Sequence, residues 1–384
     1  MPVLFDLFYR DIYLLTFFID GNKAFINKGD LSNQIYFPKW LNILNPQHFF
    51  IWLSNRNLLV DRVNAKALFR LSKSKDFDLA QLLLKTKGLS LTDVYWVLPH
   101  HRNKEYFYSD YSLYTGNFDN SAQQAAWEGK IEGSVRLDRS PEYTTGGSLV
   151  KVWRVVNNKR LLYKGNTIYN SGDFQYEAYE AISEFYAPRI AKLFNLPVIE
   201  YRLGHFKKRE CSICELFTSE ENSYLPFFNI ALDLKVSYKD VYFWITENYS
   251  QYLEWFCDLM IFDSVTLNLD RHTQNFGFLT NNNNNSIISV APVFDNGDAF
   301  LSHTYTTSVD DIASLVRAED NLIGALGNLD EIARVCYRPR HKSILYKLRD
   351  FHIPSNKEVR DERYKIVEKV IQSRADYLIK GLKI

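Results

Sequence analysis

Asn268-Leu269-Asp270-Arg271-His272-Thr273-Gln274-Asn275-Phe276-Gly277-Phe278-Leu279 is followed, beyond a run of asparagines at 281–285, by Val293-Phe294-Asp295-Asn296-Gly297. The order is an aspartate, an asparagine shortly after it, then an apolar stretch ending in a second Asp-x-Gly. Phosphoryl transfer asks for one carboxylate near the attacking hydroxyl and for oxygen ligands that hold Mg²⁺ against nucleotide phosphates. Asp270 suits the first role, and Asn275 with Asp295 suits the second. Each half also has a plainer reading: Asp-Arg-His as a turn-like polar triplet, and Asn296-Gly297 as a hairpin turn. The order of the two halves, together with partners upstream, favours the chemical reading.

Those partners begin with Tyr143-Thr144-Thr145-Gly146-Gly147-Ser148-Leu149-Val150-Lys151. Glycines let backbone N–H groups approach anionic oxygens closely. Thr145, Gly146, Gly147, Ser148 and Lys151 are therefore candidate nucleotide-binding positions. The run Ser148–Val156 alternates as a strand, Asn157-Asn158 turns it, and Lys159–Lys164 returns. Lys164 ends that strand as the candidate phosphate-contacting lysine. Glu177 opens an amphipathic helix expected over 176–194, with a kink or break expected at Pro188. A strand lysine paired with a helix carboxylate is the expected ion pair, and Glu180 and Glu184 compete with Glu177 for it.

The 384 residues carry a net charge of +1, 46% apolar residues and 15% aromatic residues, which is material for packed domains and not for a disordered chain. With no global basic field, direct nucleic-acid or membrane-surface binding is not evident. Four cysteines stand far apart except for Cys211 and Cys214, whose CxxC lacks a second pair at zinc-site spacing and lies in a strand-like run. Low cysteine use and the lack of an evident signal peptide point to a cytoplasmic protein. Ile12–Ile19 is too short to span a bilayer and reads as a strand paired with Ala24–Ile26 across Asp20-Gly21-Asn22.

Helical spacing marks Asn64–Lys73 and Asp78–Lys85. Short strands are expected at Ser134–Asp138, Val198–Arg202 and Ser212–Phe217. Tyr242–Ile261 reads as one long helix. Phe276–Leu279 and Ile287–Phe294 read as a hairpin with the asparagine run as its solvated tip. Helices resume near 308, 320 and 340, and Val359–Leu382 closes the chain. Strands first and helices last give an α+β architecture of two lobes, with expected segments 1–125 (accessory), 126–217 (N-lobe) and 218–384 (C-lobe).

Taken together, Thr144–Lys151, Lys164, Glu177, Asn268–Gly277 and Phe294–Gly297 resemble the HipA-type Ser/Thr kinases over roughly residues 130–384. That family is distantly similar to the phosphatidylinositol 3/4-kinases, which share the Asp-Arg-His-x-x-Asn loop. The first 120 residues look less like HipA itself than like the N-terminal extension of HipA-like proteins from Gram-positive bacteria. The resemblance implies a protein-kinase-like fold, ATP and Mg²⁺ as cofactors, Asp270 as catalytic base, Asn275 and Asp295 as metal ligands, and Lys164 on the α/β-phosphates. It implies a hinge against adenine at Ser212–Phe217, with backbone groups of Glu215 and Phe217 in contact. Many family members are toxins of toxin–antitoxin pairs, so a protein substrate and an antitoxin partner are expected. The family's regulatory serine, autophosphorylated at the start of the glycine loop, aligns with Thr144, with Thr145 and Ser148 as nearby hydroxyls. Two other classes remain open at this stage: a lipid or small-molecule kinase, and a non-catalytic nucleotide-binding scaffold that regulates through protein or DNA.

Overall fold

The structure is a computed structural model that describes residues 2–58, 62–73, 78–100, 105–171, 174–232, 236–305 and 308–384. In chain order the elements begin with β1 (Leu4–Tyr9), β2 (Ile12–Asp20), β3 (Lys23–Gly29), α1 (Pro46–Ser54), α2 (Ala65–Ser72), α3 (Leu79–Thr86), β4 (Tyr95–Pro99), α4 (Tyr108–Tyr111) and α5 (Asn120–Glu128). Next come β5 (Lys151–Val156), β6 (Lys159–Gly165), β7 (Ile168–Ser171), β8 (Phe174–Glu177), α6 (Glu180–Ala191), β9 (Tyr201–Phe206), β10 (Arg209–Glu215), β11 (Asn222–Pro226), α7 (Phe228–Ala231), α8 (Tyr238–Asn248) and α9 (Leu253–Thr266). The chain ends with β12 (Gly277–Asn281), β13 (Ser286–Val290), α10 (Ile312–Leu315), β14 (Ile323–Gly324), β15 (Gly327–Asn328), α11 (Leu329–Cys336), α12 (Pro339–Arg349) and α13 (Arg363–Leu382). It is a mixed α and β fold with two compact units. The first holds Met1–Lys164, Glu215–Leu232 and Phe278–Ser289; the second holds Gly165–Cys214, Asp233–Gly277 and Val290–Ile384.

In the first unit, β3-β2-β1-β4 form a four-stranded antiparallel sheet. The expected β2–β3 hairpin is its edge, and β1 and β4 were not anticipated. Phe5, Leu7, Leu14, Leu15, Phe17, Trp52 and Trp96 fill a core cluster on this sheet. Successive residues of these strands are buried on both faces, the polar Asp6 and Thr16 included, so the alternation that announces a half-buried strand is missing. Asn45 and Asp78 accept backbone N–H bonds at the starts of α1 and α3, which fixes where those helices begin. Ser134–Asp138 is not a strand. Its end is a single 3-10 turn, and the Asp119 carboxylate, which also caps α5, takes the Arg136 N–H at 3.0 Å.

The asparagine run is the clearest departure. Asn282 and Asn285 are buried, not solvated. The Asn282 side chain accepts from the Tyr9 hydroxyl at 3.2 Å and the Ser223 hydroxyl at 2.6 Å, and donates to the Glu220 carbonyl at 2.9 Å. Asn285 donates to the carbonyls of Ile35 and Phe37 at 3.0 and 2.9 Å. Amide side chains carry both donors and acceptors, so a loop of them can saturate several backbone groups at once.

In the second unit α9 is the central helix. Ten of its fourteen residues are buried, from Phe256 to Thr266, which is the signature of a core helix that is apolar all round. The expected helix over 242–261 is two helices, α8 and α9, separated by a 3-10 turn at Ser250–Tyr252. The helix expected over 176–194 starts at Glu180, because Tyr176 and Glu177 still pair with Tyr169 and Ile168 in the β7–β8 hairpin. Pro188 lies inside α6 and does not end it; the helix runs on to Ala191. The helix expected near 308 is α10, and residues 306 and 307 lie outside the described residues. The final helix begins at Arg363, after Asp361 and Glu362 in left-handed backbone. Cys211 and Cys214 lie buried on β10, as core packing would have them. No described helix is long and apolar enough to cross a membrane.

Candidate functional site

The second unit builds the acidic half. α9 ends at Leu267, whose backbone is left-handed at φ 53°, a costly conformation for a branched residue. The sharp exit throws Asn268–Asn275 back across the end of the helix. Asp263, one turn before the exit, sits 1% exposed in the apolar helix. Its carboxylate receives a two-pronged fork from Arg271, Nε to Oδ2 and Nη2 to Oδ1, both at 3.0 Å. Asn268 Nδ2 donates to Asp263 Oδ1 at 3.1 Å.

Arg271 does more than neutralise Asp263. Its Nη1 donates to the carbonyls of Phe294 at 2.7 Å and Asn275 at 3.2 Å, and its Nη2 donates to Asn296 Oδ1 at 2.6 Å. One guanidinium therefore ties the Asp270–Asn275 loop to the Asp295-Asn296-Gly297 segment. Burial works against the charge on Arg271, but Asp263, with Asp295 and Glu184 behind it, holds its pKa above the usual arginine range. α6 joins the same junction: Glu184 Oε2 accepts the Asn296 N–H at 3.0 Å. At Gly297 a Cβ would lie 3.3 Å from the Glu180 Cβ, so the segment can pass this close to α6 because the residue is glycine.

Asp270 stands 58% exposed, with His272 Nε2 3.9 Å from its Oδ2. Burial pushes the His272 pKa down, Arg271 pushes the same way, and Asp295 opposes them. Asn275 Nδ2 donates to the Asp270 carbonyl at 2.9 Å, which turns Oδ1 the other way. Asp295 is held at φ 55°, again left-handed. An amide oxygen and a carboxylate are hard donors of the kind Mg²⁺ takes, and Asn275 and Asp295 fit that ion chemically. Among the described residues no group of three or more His, Cys, Asp or Glu gathers for a metal.

The first unit holds the loop and both lysines. Lys151 and Lys164 are direct partners in the antiparallel β5–β6 register, and both are buried. Like charges directly opposite are unfavourable, so an anionic ligand fits this pair. Lys151 Nζ donates to the Gly146 carbonyl at 2.6 Å. Gly147 has φ 87°, a backbone conformation that L side chains rarely adopt, so glycine is favoured there. Thr144 is buried, and Ser148 is exposed. The Thr145 hydroxyl donates to the Pro141 carbonyl at 2.7 Å and accepts from the Trp153 indole at 2.9 Å. β10 ends at Glu215, short of the expected strand end at Phe217. The Glu215 side chain pairs with Lys159 at 2.7 Å, and the Leu216 N–H donates to the Arg160 carbonyl at 2.9 Å.

Glu177, expected near the start of the helix, is instead the last residue of β8, where its Oε1 accepts from Asn166 at 3.1 Å. Of the three candidate carboxylates, Glu184 is the one bonded to the Asp295-x-Gly297 segment. Several residues escaped sequence reasoning. Asp263 had a signal in being a lone acid among apolar residues, since such a residue is rarely buried unless paired. Gly324 had none, although a Cβ there would meet the Leu269 carbonyl at 3.0 Å. His303 also had none. Burial pushes its pKa down, but Asp298 at 2.8 Å, Glu180 and Asp270 outweigh that and leave it raised.

No protein-family model matches the chain. It is 28% identical to the serine/threonine-protein kinase CtkA of Helicobacter pylori over 172 residues, 41% of this chain and 48% of that protein. The chain thus spans about half the length of the curated relative it matches. The crystal structure of the Helicobacter pylori proinflammatory kinase CtkA aligns with 60% of this chain and 90% of its own, at 19% identity and a TM-score of 0.43. HipA from Shewanella oneidensis MR-1, solved with HipB and operator DNA, aligns over 99% of both chains at 13% identity and a TM-score of 0.56. That likeness takes in the N-terminal 120 residues, which motif reading had set apart from HipA. The chain is thus locally similar in sequence to a Ser/Thr kinase and similar over its full length in fold to HipA.

Proposed function

We propose that the chain is an ATP- and Mg²⁺-dependent Ser/Thr protein kinase of the HipA type. The observation that carries this reading is Arg271, whose single guanidinium binds the Asp270–Asn275 loop and the Asp295 segment into one junction. A junction of this kind fixes a base and two oxygen ligands relative to one another, and positioning is most of what phosphoryl transfer needs. Asp270 orients the acceptor hydroxyl and takes its proton. Asn275 and Asp295 hold Mg²⁺, which supplies charge neutralisation on the phosphate oxygens. Lys164 and Lys151 stand by the phosphates with the loop N–H groups of Thr145–Ser148. Backbone groups of Glu215 and Phe217 meet adenine, since the Leu216 N–H between them already faces Arg160 and alternate groups of an extended chain face the other way.

The acceptor is a Ser or Thr of a protein. The assembly of the Shewanella HipA with HipB and operator DNA supports a toxin role with an antitoxin partner for this chain too. It also opens DNA contact, direct or through that partner, which the near-neutral charge had made unexpected. Autophosphorylation belongs to the same reading, with exposed Ser148 as the accessible hydroxyl and Thr144 and Thr145 held inward.

The test is transfer of labelled γ-phosphate to lysate protein by wild type, Asp270→Asn and Asp295→Asn. Loss of at least about 100-fold in both variants is expected, since each removes a directly acting group. Equal transfer by all three refutes the proposal, and label entering extracted lipid instead of protein redirects it. Mass spectrometry of the wild type should find phosphate on Thr144, Thr145 or Ser148 that is missing from Asp270→Asn.

A further inference from the structure

The glycine loop is held from behind by the N-terminal region. Arg62 is 3% exposed, and its guanidinium donates to three carbonyls that bracket the loop. Nη1 reaches Glu142 at 2.5 Å and Thr145 at 3.3 Å, and Nη2 reaches Lys151 at 2.8 Å. The next residue, Val63, donates its N–H to the Ser148 carbonyl at 2.8 Å. The loop is therefore gripped before, within and after its glycines by two consecutive residues.

A trans peptide points its C=O and the following N–H in opposite directions. Drawing the Thr145 and Ser148 carbonyls toward Arg62 and Val63 turns the N–H groups of Gly146 and Leu149 away from them. Those outward N–H groups are what an anionic oxygen requires. Behind the grip sits Glu142, fully buried, with Oε1 accepting the Trp153 N–H at 3.1 Å. Trp153 in turn donates its indole N–H to Thr145 at 2.9 Å, so the carboxyl anchors β5 and, through Trp153, the loop. Neither Arg62 Nε nor Glu142 Oε2 has a hydrogen-bond partner in the described structure. Two polar groups buried at this cost are unusual unless the geometry they impose is used.

We propose that Arg62, seconded by Glu142, is a positioning residue for nucleotide phosphates, by which the N-terminal region sets in cis the conformation of the glycine loop. The proposal rests on the kinase reading. It gives the N-terminal region a part in nucleotide binding that its sequence does not announce.

The test compares binding of ATP, ADP and adenosine by calorimetry to the full chain as wild type, Arg62→Ala, Arg62→Lys, Glu142→Gln and Val97→Ala. Arg62→Ala should weaken ATP at least tenfold while adenosine is held as before, and Arg62→Lys should fall between. Added guanidinium ion should restore part of the loss in Arg62→Ala alone. In turnover, KM for ATP should rise more than kcat falls. Val97→Ala, a small cavity in β4, should lower the melting temperature without moving the ratio of ATP to adenosine affinity. If Arg62→Ala does not fold, Arg62→Lys and Glu142→Gln carry the comparison. An unchanged ratio in folded variants, with a wild type that binds ATP, overturns this proposal and leaves the kinase reading intact. A folded wild type that binds neither ATP nor ADP overturns both.

Discussion

Arg271 is the residue on which the acidic half turns. Replacing it with alanine leaves Asp263 charged and buried without its fork, and removing one partner of such a pair costs about 3–5 kcal/mol. Arg271→Ala should therefore unfold at much lower denaturant than wild type, and equal midpoints would show that Asp263 finds another partner. Arg271→Lys keeps the charge but loses the planar fork and most of the ties to Phe294, Asn275 and Asn296. It should retain more stability than alanine yet lose most phosphoryl transfer, as read by an assay beside a denaturation curve. Gly324 gives a second test at this scale. An added methyl 3.0 Å from the Leu269 carbonyl must push the start of the Asp270–Asn275 loop, at about 1–3 kcal/mol. Gly324→Ala should lower the melting temperature and the transfer rate together. Asp270, Asn275 and Asp295 stand out in the sequence because the proposed phosphoryl transfer would fix both residue type and order. Gly324 and His303 could not, because their importance comes from contacts with residues far away in the chain.

At the scale of elements, hairpins and amphipathic stretches were legible, and fully buried ones were not. The β2–β3 and β5–β6 hairpins declare themselves through their turns. β1 and β4 carry no alternation because both faces are covered. The helix start at Glu180 was missed by four residues, since a strand pair continuing through Glu177 leaves no local mark. The asparagine run shows the same limit from the other side, because polar residues read as solvated until a tertiary partner is seen. Asn282→Ala removes an amide that serves Tyr9, Ser223 and the Glu220 carbonyl. Each buried group left unsatisfied costs about 1–3 kcal/mol, so the variant should be destabilised by at least that much in urea unfolding. Deleting one asparagine should cost as much again, because it shifts Asn285 off the carbonyls of Ile35 and Phe37.

For the whole molecule, Glu142 gives stability an unusual pH dependence. Burial pushes its carboxyl from 4.5 up to about 7, with Asp119 adding and Arg62 and the Trp153 N–H opposing. Between about pH 4.5 and 7 the unfolded chain gives up this proton while the folded chain keeps it. Stability from this group therefore falls as pH rises through that window and is flat above it. The loss is on the order of 3 kcal/mol for a shift of this size. Glu142→Gln should be less destabilised than wild type in going from pH 5 to pH 8, as read by denaturant unfolding at the two values. Parallel curves for both proteins would show that Arg62 holds the carboxylate charged throughout.

The β5–β6 hairpin turns through Asn157 and Asn158, at φ 49° and 60°, and this two-residue turn fixes which residues of the strands stand opposite. Side chains alternate between faces along a strand, so a slip of one position would send Lys151 and Lys164 to opposite sides of the ribbon. The pair of asparagines thus works as a length gauge for charge. It keeps Lys151 and Lys164 on one face of the hairpin, and a one-residue slip there would part them without touching either lysine.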